Sequence, residues 1–402
     1  MIASVRAAPV SAPALDLDLY DDSVLRDSRE AFARIREAGP VVWLPRHRMY
    51  AVGRFDDVRA VLRNDQTFVS SKGVAANRLT NLLARGTTLF SDGDTHNTRR
   101  NVLKRSLGAK AIAAIEDRID EQARALVERL LRDREFEAAH DFASHLPLSI
   151  VAQLVGVRAD GNQLLKWAAA SFDSLGPLNG RGLRAGAVGL SLLLYTQRLK
   201  AERVAPGSWA ASVFEARNRG ELTTREAKAL VIDLVAPALD TTILASTHLL
   251  WALAHNPDAW TQIREDPALI PAAVIENVRL SSPIRGFTRR VAKDCEIGGT
   301  ALPKGARVAV LFGAANLDET QFPDPERFDF QRPNKVQLGW GNGAHTCIGL
   351  HLSKLEMQAL LRAMAPHVSQ IHVGEPRQLL NNTLQGISRL PARFTAAPAN
   401  AN

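Results

Sequence analysis

The stretch Gly339–Glu356 reads G-W-G-N-G-A-H-T-C-I-G-L-H-L-S-K-L-E. Its one cysteine, Cys347, follows a turn rich in glycine (Gly339, Gly341, Gly343) and precedes a run patterned as a helix. Leu350, Leu352, Leu355, Met357 and Leu360 give that run a broad apolar side. The free N–H groups and the positive dipole end at the start of such a helix favour a thiolate at Cys347. Glycines let the backbone turn tightly and come close to something flat and bulky. A soft sulfur ligand placed this way is a candidate for iron. A lone cysteine after a glycine-rich turn is otherwise an inert core residue.

Positions 340–349 resemble the cysteine-ligand loop of the cytochrome P450 family, F-G-x-G-x-H-x-C-x-G, with Trp340 in place of Phe as the one departure. The resemblance spans about Leu19 to Phe394, with five motifs in family order. It implies a mainly α, single-domain fold, a helical body with small β-sheets enclosing haem b. Cys347 is then the thiolate ligand of the iron, Gly349 belongs to the cofactor loop, and the Trp340 indole N–H is available to tune the thiolate.

Glu276 and Arg279 form E-x-x-R, i and i+3 on one helix face, which alone is an ordinary pair worth a few tenths of a kcal/mol. With Pro325-Glu326-Arg327-Phe328 downstream, the resemblance implies a buried Glu276–Arg279–Arg327 network that supports the cysteine loop. His96 and Arg100, at i and i+4, read alone as a solvated basic face. By resemblance they hold a haem propionate, joined by His345 and Arg289, with Arg290 an alternative to Arg289.

The run Val235-Ala236-Pro237-Ala238-Leu239-Asp240-Thr241-Thr242 interrupts a long helical pattern, because Pro237 cannot donate to the carbonyl of Asp233. The family pattern here is A-G-x-D-T, an oxygen-binding groove; this chain has Pro237-Ala238 where Ala-Gly is usual. The resemblance gives Thr241 an ordered water at the oxygen site and Asp240 a proton relay that promotes heterolytic O–O cleavage.

Ser70-Ser71-Lys72-Gly73-Val74 and Asn381-Asn382-Thr383-Leu384-Gln385-Gly386 resemble members that hydroxylate or demethylate para-substituted benzoates. Phe172 and Phe287 match positions that clamp a planar ring, and Ala238 is by resemblance a further candidate substrate contact. Lys72 or Arg78, helped by Ser70, Ser71 and Asn77, is the expected partner of a carboxylate; the alternative is that Lys72 and Arg78 face water. Residues 77–88 diverge from that subgroup, which leaves neutral methoxyphenols as a second substrate class.

The 402 residues carry a net charge of +8, 46% hydrophobic residues and two cysteines, Cys295 and Cys347. Two cysteines make no disulfide framework and suit a reducing cytoplasm. No nucleic-acid motif accompanies the positive charge, and no nucleic-acid or membrane partner is expected. Residues 1–18 read as a flexible tail and 19–402 as the haem domain. No P-loop or G-x-G-x-x-G motif supplies a flavin or nicotinamide site. By resemblance, electrons come from an iron–sulfur ferredoxin and its NAD(P)H-dependent reductase, docking near Arg99, Lys104 and Arg105. The expected activity is insertion of an oxygen atom from O2 into a small aromatic substrate; a haem-based sensor is the rival from another class.

Helices are predicted at 29–38, 55–63, 96–107 (capped by Asp94), 111–132, 146–154, 161–175, 187–203 and 224–255. A hairpin is predicted across Pro45–Arg48. The segment 66–90 reads as a long functional loop, and Gly176–Gly186 as a hinge or lid.

Overall fold

Ala31, Phe32 and Ile35 recur at helical spacing and are buried along α1, Arg29–Ala38, which stops at Gly39 (φ +152°) before Pro40. The hairpin forms as predicted: β1 (Val42–Leu44) and β2 (Met49–Val52) pair antiparallel with Trp43 opposite Tyr50. Helix α2, Phe55–Arg63, buries Phe55, Val58, Val61 and Leu62, and its acids begin the helix while Arg63 ends it, as the dipole favours. The computed structural model describes residues 11–398.

The 66–90 segment is less irregular than its composition suggests. It holds β3 (Phe68–Val69) and α3 (Arg78–Leu83), the latter capped by the Asn77 side chain, which accepts from the Thr80 amide. Helix α4 runs from Gly93 to Leu107, so Asp94 lies inside the first turn and is not the cap. Asp92 holds the cap position, but its carboxylate accepts from the amides of Ser70 and Ser71 at 2.8 and 2.9 Å. The predicted 111–132 helix is two pieces, Ala109–Ala113 and α5, Glu116–Arg132; Glu116 and Asp117 favour a fresh N-terminus there.

Helix α6 covers Gly161–Asp173 and α7 covers Gly180–Arg198. The expected glycine-rich lid is therefore largely the opening of α7. Asn179 caps it, accepting from the Gly182 amide at 2.9 Å. The Asn382 amide donates to Asp173 at 2.6 Å and the Asn179 side chain donates to Asn382 at 2.9 Å, which ties this corner to the C-terminal segment.

The long helix breaks where Pro237 predicts, into α8 (Thr224–Val235) and α9 (Asp240–His255). By length and composition Thr224–His255 could cross a membrane. Here α9 is the axis of the larger core, with Ile243, Leu244, Ala245, Leu249 and Leu250 buried. Helix α10 follows at Ile270–Ser281.

Strands β4 (Phe287–Val291), β5 (Cys295–Ile297), β6 (Thr300–Leu302) and β7 (Arg307–Val310) come next. One sheet has the order β1-β2-β7-β4-β3, with β7 parallel to β2 and antiparallel to β4. Cys295 lies in the β5–β6 hairpin, as expected. Helix α11, Leu350–Met364, carries the apolar face read from the sequence, with Leu352, Leu355, Met357 and Leu360 buried.

Residues 13–17, expected within the tail, pack on the fold. The Trp43 amide donates to Pro13 at 2.8 Å, the Leu15 amide donates to Trp43 at 2.9 Å, and Leu17 is buried. Residues 1–10 of the expected tail lie outside the described residues.

Candidate active site

The cysteine loop is held from both sides. The Cys347 amide donates to the Trp340 carbonyl at 2.8 Å, and Gly343 adopts φ +73°. A Cβ on Gly343 would stand 2.4 Å from the Leu62 carbonyl oxygen, and one on Gly339 would stand 2.9 Å from Val278. These two glycines thus let the loop press on α2 and α10, so the close approach expected of them is made to protein. Cys347 has free surface, yet burial pushes its thiol up, opposed by the N–H groups of Gly349 and Leu350 and by Arg100. That is a sulfur facing an internal space, with donors in place for a thiolate and a need for one strong cation.

The Trp340 indole does not reach this sulfur. Its N–H donates to the Ser353 hydroxyl at 3.1 Å, and Lys354 stands 4.9 Å over the ring. The expected indole tuning of the thiolate is therefore corrected: the one N–H of the ring is already used.

His96, Arg100, Arg289 and His345 are brought together. The two imidazole rings lie 4.2 Å apart, and Nε2 of each is buried without a hydrogen-bond partner. Burial lowers His96 to about 4 and Arg289 to about 10. His345 Nε2 is 3.9 Å from Asp92, beyond hydrogen-bond reach. Arg100 and Arg289 spend single bonds on the carbonyls of Thr346 (2.6 Å) and Thr288 (2.9 Å). Buried donors left without acceptors are costly, and this set fits a ligand with two carboxylates. Arg290, the alternative to Arg289, faces a different cavity.

Between α8 and α9, residues 236–239 leave the helix and free the Pro237 carbonyl, which accepts from the Thr241 hydroxyl at 3.3 Å. Burial raises Asp240 to about 7, and its Oδ2 has no partner. An acid that titrates near neutrality next to a lightly held hydroxyl is suited to passing protons. Nearby, Asp233 accepts from the Thr88 amide at 2.6 Å and is raised to about 6 by burial.

The ring-binding residues also converge. Phe172 and Leu175 pack with Val74, Ala75, Phe90, Leu244 and Leu384, and Phe287 leans on this cluster. Leu244, Phe90 and Leu384 were missed from the sequence as lining residues. Leu244 had a signal, three residues beyond Thr241 on the same helix. The polar set separates. Lys72 and Arg78 are exposed. Asn77 is occupied with the Ser174 and Gly176 carbonyls at 2.8 and 2.7 Å. Ser71 meets Asp92 through its amide. Ser70 retains a buried, unpartnered hydroxyl. Ala238 is half-buried against the larger core.

A cytochrome P450 family model matches residues 208–367. Cytochrome P450 CYP199A2 of Rhodopseudomonas palustris is 32% identical over 394 residues, covering 96% of this chain and 95% of that protein. This chain belongs to the cytochrome P450 family. Linalool 8-monooxygenase of Pseudomonas putida is 28% identical, with 93% and 96% covered. The solved structure of cytochrome P450 CYP109Q5 from Chondromyces apiculatus superposes with a TM-score of 0.77 at 27% identity, covering 96% of this chain and 99% of that one. The mainly α fold is thus the P450 fold, the protein is a P450 monooxygenase, and its cofactor is a thiolate-ligated haem. The residues present fit that group: an accessible sulfur with backbone donors in place for a thiolate, and two orphaned buried imidazole nitrogens beside two guanidinium groups.

The network under the P450 cysteine loop is built with a different third member from the one expected. Glu276 accepts from Arg279 at 2.8 Å through both oxygens and from Arg332 Nε at 3.0 Å, and all three side chains are buried. Arg327 points its guanidinium to solvent and pairs with Asp329 at 2.7 Å; only its backbone carbonyl joins the network. Arg279 also donates to the Asn316 carbonyl at 2.7 Å, and the Asn316 side chain accepts from the Leu338 amide at 2.7 Å. The network therefore reaches the residue that precedes the cysteine loop.

Of the proposed docking residues, Arg99 is buried and bonded to Glu226 at 3.0 Å, and Arg105 is paired with Glu221 at 2.6 Å; Lys104 remains exposed. On α11, Glu356 is buried with both carboxylate oxygens unpartnered, and burial raises it to about 8. A raised carboxyl means the folded state holds a proton that the unfolded state has released, so stability falls as pH climbs from the unfolded value through 8. Glu356→Gln is expected to raise the midpoint of thermal unfolding by a few degrees at pH 8 and by much less at pH 5. A midpoint difference that is the same at both pH values would contradict this.

Proposed function

We propose that this P450 hydroxylates or O-demethylates a small para-substituted aromatic compound of the benzoate type, with electrons from a ferredoxin and its reductase. The observation that supports it is the single apolar cluster in which Phe172, Phe287, Val74, Leu244 and Leu384 meet. Two phenyl groups with aliphatic walls favour a flat ring. Cys347 is the iron ligand, and His96, Arg100, Arg289 and His345 hold the propionates. Bound haem supplies dioxygen binding and its two-electron activation. Thr241 orients a water at the break, and Asp240, whose carboxyl burial raises to about 7, moves protons inward from it. Electrons enter from a separate protein, and Lys104 and Arg105, the latter paired with Glu221, are the exposed cations of the expected docking face.

Thr241→Ala is expected to leave substrate binding nearly unchanged while product formed per NADH falls severalfold or more, the electrons emerging as peroxide. Unchanged coupling would assign the role to another hydroxyl, such as Thr242.

One observation favours a second reading, a neutral methoxyphenol. Ser70 offers a neutral buried donor, whereas Lys72 is exposed. Spin-state titration with 4-methoxybenzoate, its methyl ester and 4-alkyl-2-methoxyphenols separates the two. Tighter binding of the free acid than of its methyl ester supports the benzoate reading; equal binding of acid and ester, or tighter phenol binding, rejects it.

A further inference from the structure

Outside the apolar Phe172–Phe287 cluster and the set His96, Arg100, Arg289 and His345, five cations from separate parts of the chain face one cavity of about 600 Å³. They are Arg48 in the hairpin turn, Arg78 at the start of α3, Arg290 on β4, and Lys304 and Arg307 at the entry to β7. No acidic residue lines it. His47, also in the wall, already has Asp18 at 3.1 Å. Residues 1–10 and 399–402, outside the described range, contain no Asp or Glu.

The charges are set against one another. Arg290 and Arg307 are direct partners in the antiparallel β4–β7 pair, where like charges destabilise. Burial lowers Arg307, and Arg290 and Arg78 lower it further. The Arg307 side chain donates to the Ala76 carbonyl, a neutral acceptor that leaves its charge uncompensated. Trp43 and Tyr50 complete the wall as a cross-strand aromatic pair, centroids 4.9 Å apart. Half-buried aromatic faces beside guanidinium groups suit a flat ring that carries charge at its edge. The volume is that of a small-molecule site.

We propose that this cavity binds a small planar organic dianion, an aromatic ring bearing two anionic charges of carboxylate or phosphate type. Two charges answer the opposed Arg290 and Arg307, and the ring lies on Trp43 and Tyr50. The site is separate from the haem chamber, and it stands whichever substrate that chamber takes.

The test is calorimetric titration of the haem-loaded protein at physiological salt with benzene-1,3-dicarboxylate, phenyl phosphate, inorganic phosphate and dimethyl benzene-1,3-dicarboxylate. Saturable binding of the dicarboxylate, of phenyl phosphate or of both is expected, and which one binds identifies the anionic group. Inorganic phosphate should bind roughly tenfold more weakly for want of the ring, and the neutral diester not at all. The Soret band should stay in place. Arg290→Gln and the exposed Lys304→Gln should each weaken binding about tenfold, the loss of one charge-assisted contact, with the CO-difference spectrum confirming intact haem loading. No binding by either dianion, binding indifferent to both substitutions, or binding that shifts the Soret band and is displaced by imidazole would each overturn the proposal.

Discussion

Cys347→Ser is expected to abolish the red-shifted thiolate-type Soret band of the reduced, carbon monoxide-treated protein, and turnover with it. The sulfur receives the Gly349 and Leu350 amides and lies near Arg100, a setting that stabilises negative charge on a soft atom. A serine hydroxyl has a far higher proton affinity and is a harder, weaker partner for iron, so the substitution keeps the shape and removes the donor. Gly343 and Gly339 still seat the loop against α2 and α10, so the variant should fold. Retention of the thiolate-type band in Cys347→Ser would show that another residue ligates the iron.

Arg332→Met is expected to destabilise the protein by about 3–5 kcal/mol, the range for removing one partner of a buried ion pair. Glu276 would then keep its bonds to Arg279 and the Asp329 amide but lose Arg332, leaving a buried carboxylate under-compensated. The Pro323, Asp324 and Arg327 carbonyls would lose their donor as well. Arg327→Ala should fall within about 0.5 kcal/mol, since its guanidinium is exposed and pairs with Asp329 in water. Denaturant unfolding of the two variants decides between them, with haem retention as a second readout. Equal destabilisation, or a larger loss from Arg327→Ala, would restore Arg327 to the network.

What the sequence by itself determined was local in origin. Pro237 breaks α8 from α9 because a missing N–H and a bulky ring act within one helical turn. Helix bounds at Arg29–Ala38 and Phe55–Arg63 follow from apolar spacing and flanking residues. The cysteine loop was readable because ten adjacent residues carry its pattern. Tertiary structure decided which long side chain reaches which partner. Arg327 and Arg332 are five residues apart in one loop, and only the path of that loop past α10 turns Arg332 inward. The glycine-rich 176–186 stretch reads as a hinge or lid from composition, whereas the tie between its cap, Asn179, and Asn382, some two hundred residues away, is written nowhere locally. Lys72 and Arg78 were plausible carboxylate anchors by position. The docking of their segment on β4, with the Thr288 amide donating to Val74 at 3.0 Å, leaves Lys72 in solvent and sends Arg78 to another cavity. Local backbone preference acts over three or four residues and is written in order along the chain; the direction of a buried charge depends on the compensation that distant segments bring to it.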